Sequence, residues 1–329
     1  MIARRDPKFS QILHAYGVRG NLIKFTDRKG QMSVFEYDLF DRRVKAAYAD
    51  GGTTVYTYDA VGNLVGISDS QLGEMIFSYD ALDRLTREVT RQGVVEYAYD
   101  AAGKRTMMTA NGQSPVAYSY DGASRLTQVA QGGQMVNLGY DAAGRRTSLS
   151  YPNGVTTNYS YDSASRLTNI QHQASSSIES LVYTYDVNGN RISLDRIGKL
   201  ADLPKEVQAA YDAANQRVQF NSTTPNLTYD PNGNLTGQTG ASGAMTYMWD
   251  ARNRLTAISG PNLTARFVYD ALGRRISKTI NSVTTEYLYD GNDIVAELNG
   301  GAVSATYLRS LNIDEPFIRQ SSSGNESRL

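Results

Sequence analysis

Aspartate is the residue type in this chain whose number and spacing could support chemistry. It follows a tyrosine at regular intervals, and numerous carboxylates could form general acid–base pairs. An aspartate at a strand end has a structural use as well, since its carboxylate accepts a backbone N–H two residues further on in a type I turn. The constant position after the tyrosine favours turn caps, so we predict no catalytic residue and no enzymatic activity. The Tyr-Asp dipeptides begin at Tyr37, Tyr58, Tyr79, Tyr99, Tyr120, Tyr140, Tyr161, Tyr185, Tyr211, Tyr229, Tyr269 and Tyr289.

Histidine, cysteine and metal chemistry find little support in the composition. His14 and His172 are the two histidines of the chain, and cysteine is absent. A zinc site or a Ser-His-Asp constellation needs convergent ligands, which two unrelated histidines do not supply. Residues 186–190 (DVNGN) and 230–234 (DPNGN) lack the spacing and the distant glutamate of a calcium loop. We therefore predict no metal and no cofactor.

The charge balance excludes several classes of partner. Lys plus Arg equals 33, and Asp plus Glu equals 33. A net charge of zero argues against a nucleic acid or an anionic membrane surface as partner. No apolar window reaches the length of a membrane helix, and the first residues lack the apolar core of a secretory signal. The arginine pairs Arg145-Arg146 and Arg274-Arg275 recur among opposite charges, and we interpret them as solvated charges on a sheet face.

The Tyr-Asp pairs mark a tandem repeat. Their spacing is 20 or 21 residues, apart from the stretch between Tyr161 and Tyr229. Trp249 fills the one gap and Tyr16 begins a degenerate first copy, which gives 14 units. A period sustained this long predicts a repeat architecture instead of separate globular domains. Apolar or aromatic residues alternate ahead of each tyrosine, which is typical of a β-strand with one buried face.

The fourth position after each tyrosine predicts how the hairpins turn. Twelve of its 14 residues are Gly, Asn or Asp, the types that best tolerate positive φ. A type I turn followed by a left-handed residue makes a common three-residue hairpin with a bulge. Glycine alternates with another residue type through all 14 units, which indicates either duplication of a two-unit block or two environments for successive turns. The positions are Gly20, Asp41, Gly62, Asp83, Gly103, Ser124, Gly144, Ser165, Gly189, Asn215, Gly233, Asn253, Gly273 and Asp293.

These patterns predict an all-β fold: a long antiparallel sheet of tandem hairpins, coiled into a spiral or a partial hollow cocoon. Tyrosines of neighbouring units are expected to stack on one another. We expect an irregular segment over residues 1–15, the 14-unit sheet over 16–306, and a truncated entry to a following region plus a polar tail over 307–329. The predicted structural repeat residues are Tyr58, Asp59, Gly62, Tyr99, Asp100, Gly103, Tyr140, Asp141, Gly144, Tyr185, Asp186, Gly189, Tyr229, Asp230, Gly233, Tyr269, Asp270 and Gly273.

The phrases YDAVGNL, YDALDRLT, YDAAGRRT and YDALGRRI, at this spacing, resemble the YD repeats of Rhs proteins, which are related to repeats in toxin-complex shells and teneurins. The resemblance covers residues 16–316. It implies a hollow β-cocoon that encloses a toxic C-terminal polypeptide until delivery. Full family members add a self-cleaving core-associated region, and residues 307–317 (YLRSLNIDEPF) resemble the segment leading into it. The DPxGxxxG type of core motif and a variable toxin domain are absent, so self-cleavage and toxicity are not carried over.

Three functional hypotheses remain open. The first is a non-enzymatic, Rhs-like shell or scaffold segment of a polymorphic toxin system, with a toxin or effector polypeptide as cargo and further Rhs repeat segments as partners. The second is a carbohydrate-binding or cell-surface adhesion module, because Tyr- and Asn-rich strand faces can stack on glycans. The third is an incomplete Rhs fragment without an independent role. The resemblance implies a bacterial cytoplasmic location before export, then secretion or surface display by a route independent of a signal peptide.

Overall fold

Every regular element in the described part of the chain is a β-strand, which confirms the predicted all-β class. The computed structural model describes residues 2–5, 11–198, 208–213, 215–221, 226–312, 314–321 and 324–327. The first strands are β1 Ile2–Arg5, β2 Gln11–Tyr16, β3 Leu22–Thr26, β4 Met32–Tyr37, β5 Arg43–Ala47, β6 Thr53–Tyr58, β7 Leu64–Asp69, β8 Gly73–Tyr79, β9 Leu85–Thr90, β10 Gly93–Tyr99, β11 Arg105–Ala110, β12 Val116–Tyr120, β13 Leu126–Gln131, β14 Gln134–Tyr140, β15 Arg146–Ser150, β16 Thr156–Tyr161, β17 Leu167–Gln173, β18 Ser177–Tyr185 and β19 Arg191–Gly198. The later strands are β20 Ala209–Tyr211, β21 Arg217–Phe220, β22 Leu227–Tyr229, β23 Leu235–Gly240, β24 Gly243–Trp249, β25 Leu255–Gly260, β26 Leu263–Tyr269, β27 Arg275–Ile280, β28 Val283–Asp290, β29 Asp293–Asn299, β30 Ala302–Arg309, β31 Pro316–Ser321 and β32 Gly324–Ser327.

The chain divides into two compact units. The first takes Met1–Gly93, Pro204–Tyr287 and Leu298–Gly301, and the second takes Val94–Leu203, Leu288–Glu297 and Ala302–Leu329. Within each unit the strands pair antiparallel with their neighbours in sequence, as expected for a meander of hairpins. No helix that could cross a membrane occurs among the described residues.

In the first unit, the buried face carries residues of the strand that leads up to a tyrosine and of the return strand before it. Ile67, Met75 and Phe77 form its buried cluster. Ala271, which belongs to a much later repeat, packs against this cluster. A hairpin turn from the later repeats therefore helps to bury the strands of the earlier ones. The other side chains around the cluster are Tyr56, Leu64, Tyr79 and Leu85.

The second unit has a larger core with the same pattern. Its earlier strands bury Val95, Tyr97, Met108, Val116, Tyr118, Val129, Val136, Leu138 and Leu149. Its later strands add Leu288, Val295, Leu308, Phe317 and Ile318. The ring of Tyr151 meets that of Phe317 edge to face, with 6.3 Å between centroids. Side chains of β31 therefore lie in the hydrophobic core.

The structure differs from the sequence analysis at both ends of the predicted repeat sheet. Within the segment expected to be irregular, β1 pairs with β2, so that Ile2 lies opposite His14. Residues 6–10 lie outside the described part. The predicted boundary at residue 306 falls inside β30, and β31 pairs with both β30 and β32. Strand pairing needs alternating backbone donors and acceptors, which segments without a Tyr-Asp pair also provide.

Candidate functional site

The turn that follows each Tyr-Asp strand is the recurring site of this chain. In the unit of Tyr140, Asp141 Oδ1 accepts the backbone N–H of Arg145 at 2.9 Å, and the Arg145 Nε–H donates to Asp141 Oδ2 at 2.7 Å. The backbone N–H and the guanidinium of Arg145 lower the pKa of Asp141 despite the opposing effect of desolvation. The same cap occurs at Asp59, Asp100, Asp186, Asp230 and Asp270. These aspartates act as turn caps, each in its own hairpin.

The residue at the fourth position after the tyrosine has positive φ, which places it in the left-handed region. In the units that carry glycine there, φ is 106° at Gly62, 81° at Gly103, 79° at Gly144, 88° at Gly189, 89° at Gly233 and 86° at Gly273. In the other units φ is smaller, between 58° at Asp83 and 64° at Asn253. The strand register shifts just before each tyrosine, as at Gly139/Tyr140, which marks the bulge. The sequence-predicted residues thus meet within single turns and form no common cluster.

The last unit breaks this pattern, and the prediction for it is wrong. Asp293 was expected at a left-handed turn position, but it already begins β29. Gly291 takes the positive φ instead, at 58°, in a two-residue connection that also contains Asn292. Asp290 is therefore the last residue of β28, and its carboxylate is available for a different contact.

The tyrosine hydroxyl links one repeat to the next. It donates to the backbone carbonyl oxygen of the sixth position after the preceding tyrosine, which lies beside the bulge. The bond measures 2.6–3.0 Å from Tyr37, Tyr58, Tyr79, Tyr120, Tyr140, Tyr161, Tyr185, Tyr229 and Tyr269. Trp249 keeps the contact through its indole N–H, which donates to Leu235 O at 2.8 Å. This hydrogen bond is a physical reason for the repeated aromatic donor.

The predicted stacking of tyrosine on tyrosine is wrong in six units, where a cation covers the ring instead. The fifth position of the preceding unit supplies that cation, as Arg125 does over Tyr140 at 5.0 Å. The other pairs are Arg42 over Tyr58, Lys104 over Tyr120, Arg145 over Tyr161, Arg166 over Tyr185 and Arg254 over Tyr269. A cation over an aromatic face is attracted by the ring quadrupole, and neighbouring hairpins place these two positions side by side.

Turns with and without glycine occupy different environments. We call a turn with glycine at the fourth position after the tyrosine a glycine turn. The side chain at the fifth position of a glycine turn forms a hydrogen bond with the fourth-position side chain of the next turn. In a turn without glycine at the fourth position, the fifth position can carry an arginine. Its guanidinium donates to the backbone carbonyl oxygen of the Tyr-Asp aspartate in the following unit, whose turn contains glycine. The first contact joins Asn21 to Asp41, Asn63 to Asp83, Lys104 to Ser124, Arg145 to Ser165 and Asn234 to Asn253. The second joins Arg125 to Asp141, Arg166 to Asp186 and Arg254 to Asp270. The side-chain contact follows the alternation seen in the sequence. The contact with the backbone carbonyl does not, since Arg145 of a glycine turn also donates to Asp162 O at 3.3 Å.

Buried charges fix late turns onto early strands in the first unit. Arg274, only 8% exposed, donates to Asp270 at 2.6 Å and to Glu88 at 2.8 Å. Burial alone would lower the pKa of Arg274, but the two carboxylates raise it. Arg274 was interpreted from the sequence as a solvated charge, and that interpretation is wrong. Its turn packs into the core beside Ala271, which removes the guanidinium from water and requires partners.

A second buried ion pair in the first unit joins Arg252 to Asp69, with 2.8 Å between Nη1 and Oδ2. The hydroxyl of Thr54 also donates to this carboxylate. Burial would raise the pKa of Asp69, but Arg252 and Thr54 hold it below the usual value. Arg252 lies over the ring of Tyr48, 3.9 Å from its centroid.

The second unit also contains ion pairs between distant repeats. The carboxylate of Asp290 accepts the Tyr97 hydroxyl at 3.0 Å and forms an ion pair with Arg105. Arg146 pairs with Glu315, whose pKa is lowered by that arginine although burial opposes ionisation. Arg146 was also interpreted as a solvated charge, and its pairing with a partly buried acid corrects that interpretation. In both units, charged side chains at or near turns hold distant repeats together.

Sequence reasoning missed these pairs, although one signal was present. Glu88 stands nine residues after its tyrosine, where the neighbouring units have Ile67, Met108 and Val129. All four side chains are buried, Glu88 at 3% exposure. An acid in a core register needs a buried partner. No group of three or more His, Cys, Asp or Glu side chains in the described part is arranged to hold a metal ion.

The teneurin YD-shell family model matches residues 8–115 and 152–293, which is more than half of the chain. The chain therefore belongs to the teneurin YD-shell family, and the resemblance to YD-repeat proteins is confirmed. It forms a segment of a shell fold.

Relatives of known sequence or structure are much longer than this chain. The tRNA nuclease WapA of Bacillus subtilis (strain 168) is 37% identical over 86 residues, which is 26% of this chain and 3% of WapA. The TcdB2-TccC3-TEV crystal structure matches 97% of this chain and 23% of its own, at 16% identity and a TM-score of 0.54. A Photorhabdus luminescens Tc holotoxin pore matches 97% and 24%, at 15% identity and a TM-score of 0.51. At such identity the two structures show a shared fold.

Proposed function

We propose that this chain is a non-enzymatic shell segment that helps to enclose a toxin or effector polypeptide. The observation that carries the proposal is the YD-shell family match over most of the chain. Its fold is shared, over 97% of the chain, with TcdB2-TccC3 and with a Tc holotoxin. Because the chain spans about a quarter of those solved chains, the proposal includes further YD-repeat segments as partners that complete the wall.

The turn contacts support a structural role. A wall that retains a polypeptide must resist local opening, and strands held only by backbone ladders fray at their ends. Here the caps hold individual turns, tyrosine bridges tie neighbouring repeats, and buried ion pairs tie some turns to distant repeats. Tyrosine also suits a wall in contact with an unfolded chain, because its ring is apolar and its hydroxyl stays hydrogen-bonded. Export of the assembled particle from a bacterial cell belongs to the same proposal.

Protection of a cargo from protease tests this function. We would co-express the full chain with the hypervariable C-terminal region of TccC3 as cargo, purify the chain and add protease. The cargo is expected to co-purify and to survive at least about tenfold longer than the cargo alone. The Glu88→Gln variant weakens a late-turn contact and should shorten protection, and Glu74→Gln, at an exposed position of β8, is the matched control. Failure both to co-purify and to protect contradicts the proposal.

The carbohydrate-binding alternative stays a prediction. A glycan array probed with the full chain separates it from the shell proposal, because a shell segment is expected to give no saturable signal. A reproducible, saturable signal from one glycan class would favour the adhesion module instead.

A further inference from the structure

A cavity of about 400 Å³ lies in the first unit, among β2–β5 and the turns that follow Tyr229 and Trp249. Ile12, Phe25 and Phe35 supply its apolar wall. A volume in this range suits a small ligand or a single side chain with its flanking backbone. The cavity is distinct from the buried ion pair of Arg274.

Three guanidinium groups line this cavity: those of Arg28, Arg43 and Arg252. The Arg252 side chain is 92% buried, as its exposed fraction is 8%. Its Nε and Nη2 atoms are buried and have no hydrogen-bond acceptor among the described residues. The Nε atom of Arg43 is buried and lacks an acceptor in the same part of the chain. A buried guanidinium with unused donors is costly unless an acceptor arrives.

The carboxylates nearest to the cavity are already engaged. Asp69 binds Arg252 and the Thr54 hydroxyl on one oxygen, and backbone N–H groups 3.0 Å and 3.1 Å away on the other. Asp27 accepts the backbone N–H groups of Lys29 and Gln31, and the side-chain amide of Asn232 at 2.7 Å. These acids have few free lone pairs to offer the arginines. The cavity therefore has a cationic lining with unmet donors.

We propose that this cavity binds a carboxylate ligand with an apolar body. The guanidinium fork matches the two oxygens of a carboxylate; Arg252 presents two such donors, Nε and Nη2, and Arg43 adds a single one, Nε. The phenyl ring of Phe25 would receive the apolar part, while Phe35 carries Arg43 over its ring, 4.4 Å from the centroid. The carboxylate could belong to a free small acid or to an acidic side chain of a polypeptide, and the chemistry is the same. The inference does not depend on the enclosure of a cargo.

Calorimetric titration of the full chain tests this site with two carboxylate probes. Sodium benzoate represents the free acid and N-acetylglutamate N-methylamide represents the side chain. Their neutral counterparts are benzamide and N-acetylglutamine N-methylamide. Saturable binding of at least one acid, with none from its neutral counterpart, is the expected result. Binding of benzoate alone assigns the site to free acids, and binding of both extends it to polypeptides.

Variants connect the binding to the cavity. Arg43→Gln is expected to weaken benzoate binding at least about tenfold, because a charge-assisted hydrogen bond is lost. Arg252→Lys keeps a charge beside Asp69 and is expected to weaken it similarly through loss of the fork. Arg191→Gln, at an exposed position of the second unit, is the control and should bind normally. Each variant is checked by urea denaturation. Absence of binding by both acids, or undiminished binding in a folded Arg43→Gln variant, overturns the proposal.

Discussion

Trp249 donates its indole N–H to the carbonyl oxygen of Leu235, and so takes the place that a tyrosine hydroxyl has in nine other units. The substitution changes the ring system and keeps the donor. The repeat therefore selects an aromatic residue with a donor at its far end, and tyrosine is the common solution. This relationship separates the packing of the ring from its hydrogen bond and makes both measurable.

Substitution at position 249 measures the bridge directly. We expect Trp249→Tyr to be more stable than Trp249→Phe by about 1 kcal/mol, because only tyrosine can donate to Leu235. Urea denaturation of the two variants gives the difference in the free energy of unfolding. Tyr140→Phe should lose a similar amount through its bond to Leu126. Equal stabilities of the tyrosine and phenylalanine variants would contradict the role of the bridge.

Removal of the buried acid Glu88 should destabilise the first unit strongly. Glu88→Gln leaves Arg274 with one carboxylate instead of two in a dry site, and we expect a loss of about 3 kcal/mol. Thermal and urea denaturation measure the loss. Glu74→Gln is the matched control, since Glu74 is exposed on neighbouring strand β8 and should change the stability by less than about 0.5 kcal/mol. Similar effects of the two substitutions would refute a specific buried contact.

Glycine turns with different φ should differ in their tolerance of a side chain. Gly62 has φ of 106°, outside the range that asparagine accepts easily, and a Cβ there would lie 3.6 Å from Arg42 Nη1. Gly103 has φ of 81° and open space around it. We expect Gly62→Asn to cost about 1–2 kcal/mol and Gly103→Asn to cost less. Asp83→Asn, at φ of 58°, serves as control. A larger loss at Gly103 than at Gly62 in urea denaturation would contradict this dependence on φ.

Alkaline pH should unfold the second unit through its buried phenols. Burial raises the pKa of Tyr118 to about 12, and burial likewise raises the pKa of Tyr151 to about 12. A folded-state pKa above the unfolded value of 10.0 means that the stabilisation is complete below pH 10 and is lost as the pH rises towards 12. Absorbance at the tyrosinate band and circular dichroism should therefore change together in this window.

A conservative pair of variants locates that alkaline effect. Tyr118→Phe removes a buried ionisable group and should move the midpoint of alkaline unfolding to higher pH. Tyr16→Phe is the control, because Tyr16 is 48% exposed and lies in the first unit. A Tyr118→Phe variant that unfolds at the original midpoint would exclude Tyr118 as the responsible group.

Local features of the fold follow from the sequence, because they depend on residues close in the chain. The period of the tyrosines predicted the hairpins, and the glycine, asparagine and aspartate residues predicted the left-handed turn position. The exception at Asp290 was also local. Its glycine follows the aspartate directly, at Gly291, and a shorter turn results.

Long-range pairing could not be predicted in the same way. Arg274 and Glu88 are 186 residues apart, and their contact depends on which repeats of the first unit face each other. That choice is set by the accumulated twist of many hairpins, which no single repeat reveals. The cavity beside Arg43 has the same origin, since its lining comes from two separate stretches of the chain. The one sequence signal was the acid at a core position, Glu88, which indicated a buried partner of opposite charge.

The two alternating turns have a consequence for how such walls gain and lose length. The fifth-position side chain of a glycine turn donates to the fourth-position side chain of the next turn, as Asn63 does to Asp83. The arginine of a non-glycine turn donates to a backbone carbonyl of the following turn, as Arg125 does to Asp141. Deleting one non-glycine hairpin would bring two glycine turns together, and the fifth-position side chain of the first would lose its side-chain acceptor, whereas the backbone carbonyl that the arginines use is present in every turn. Removing two successive hairpins would keep this side-chain contact, so such walls are expected to gain or lose length by pairs of hairpins.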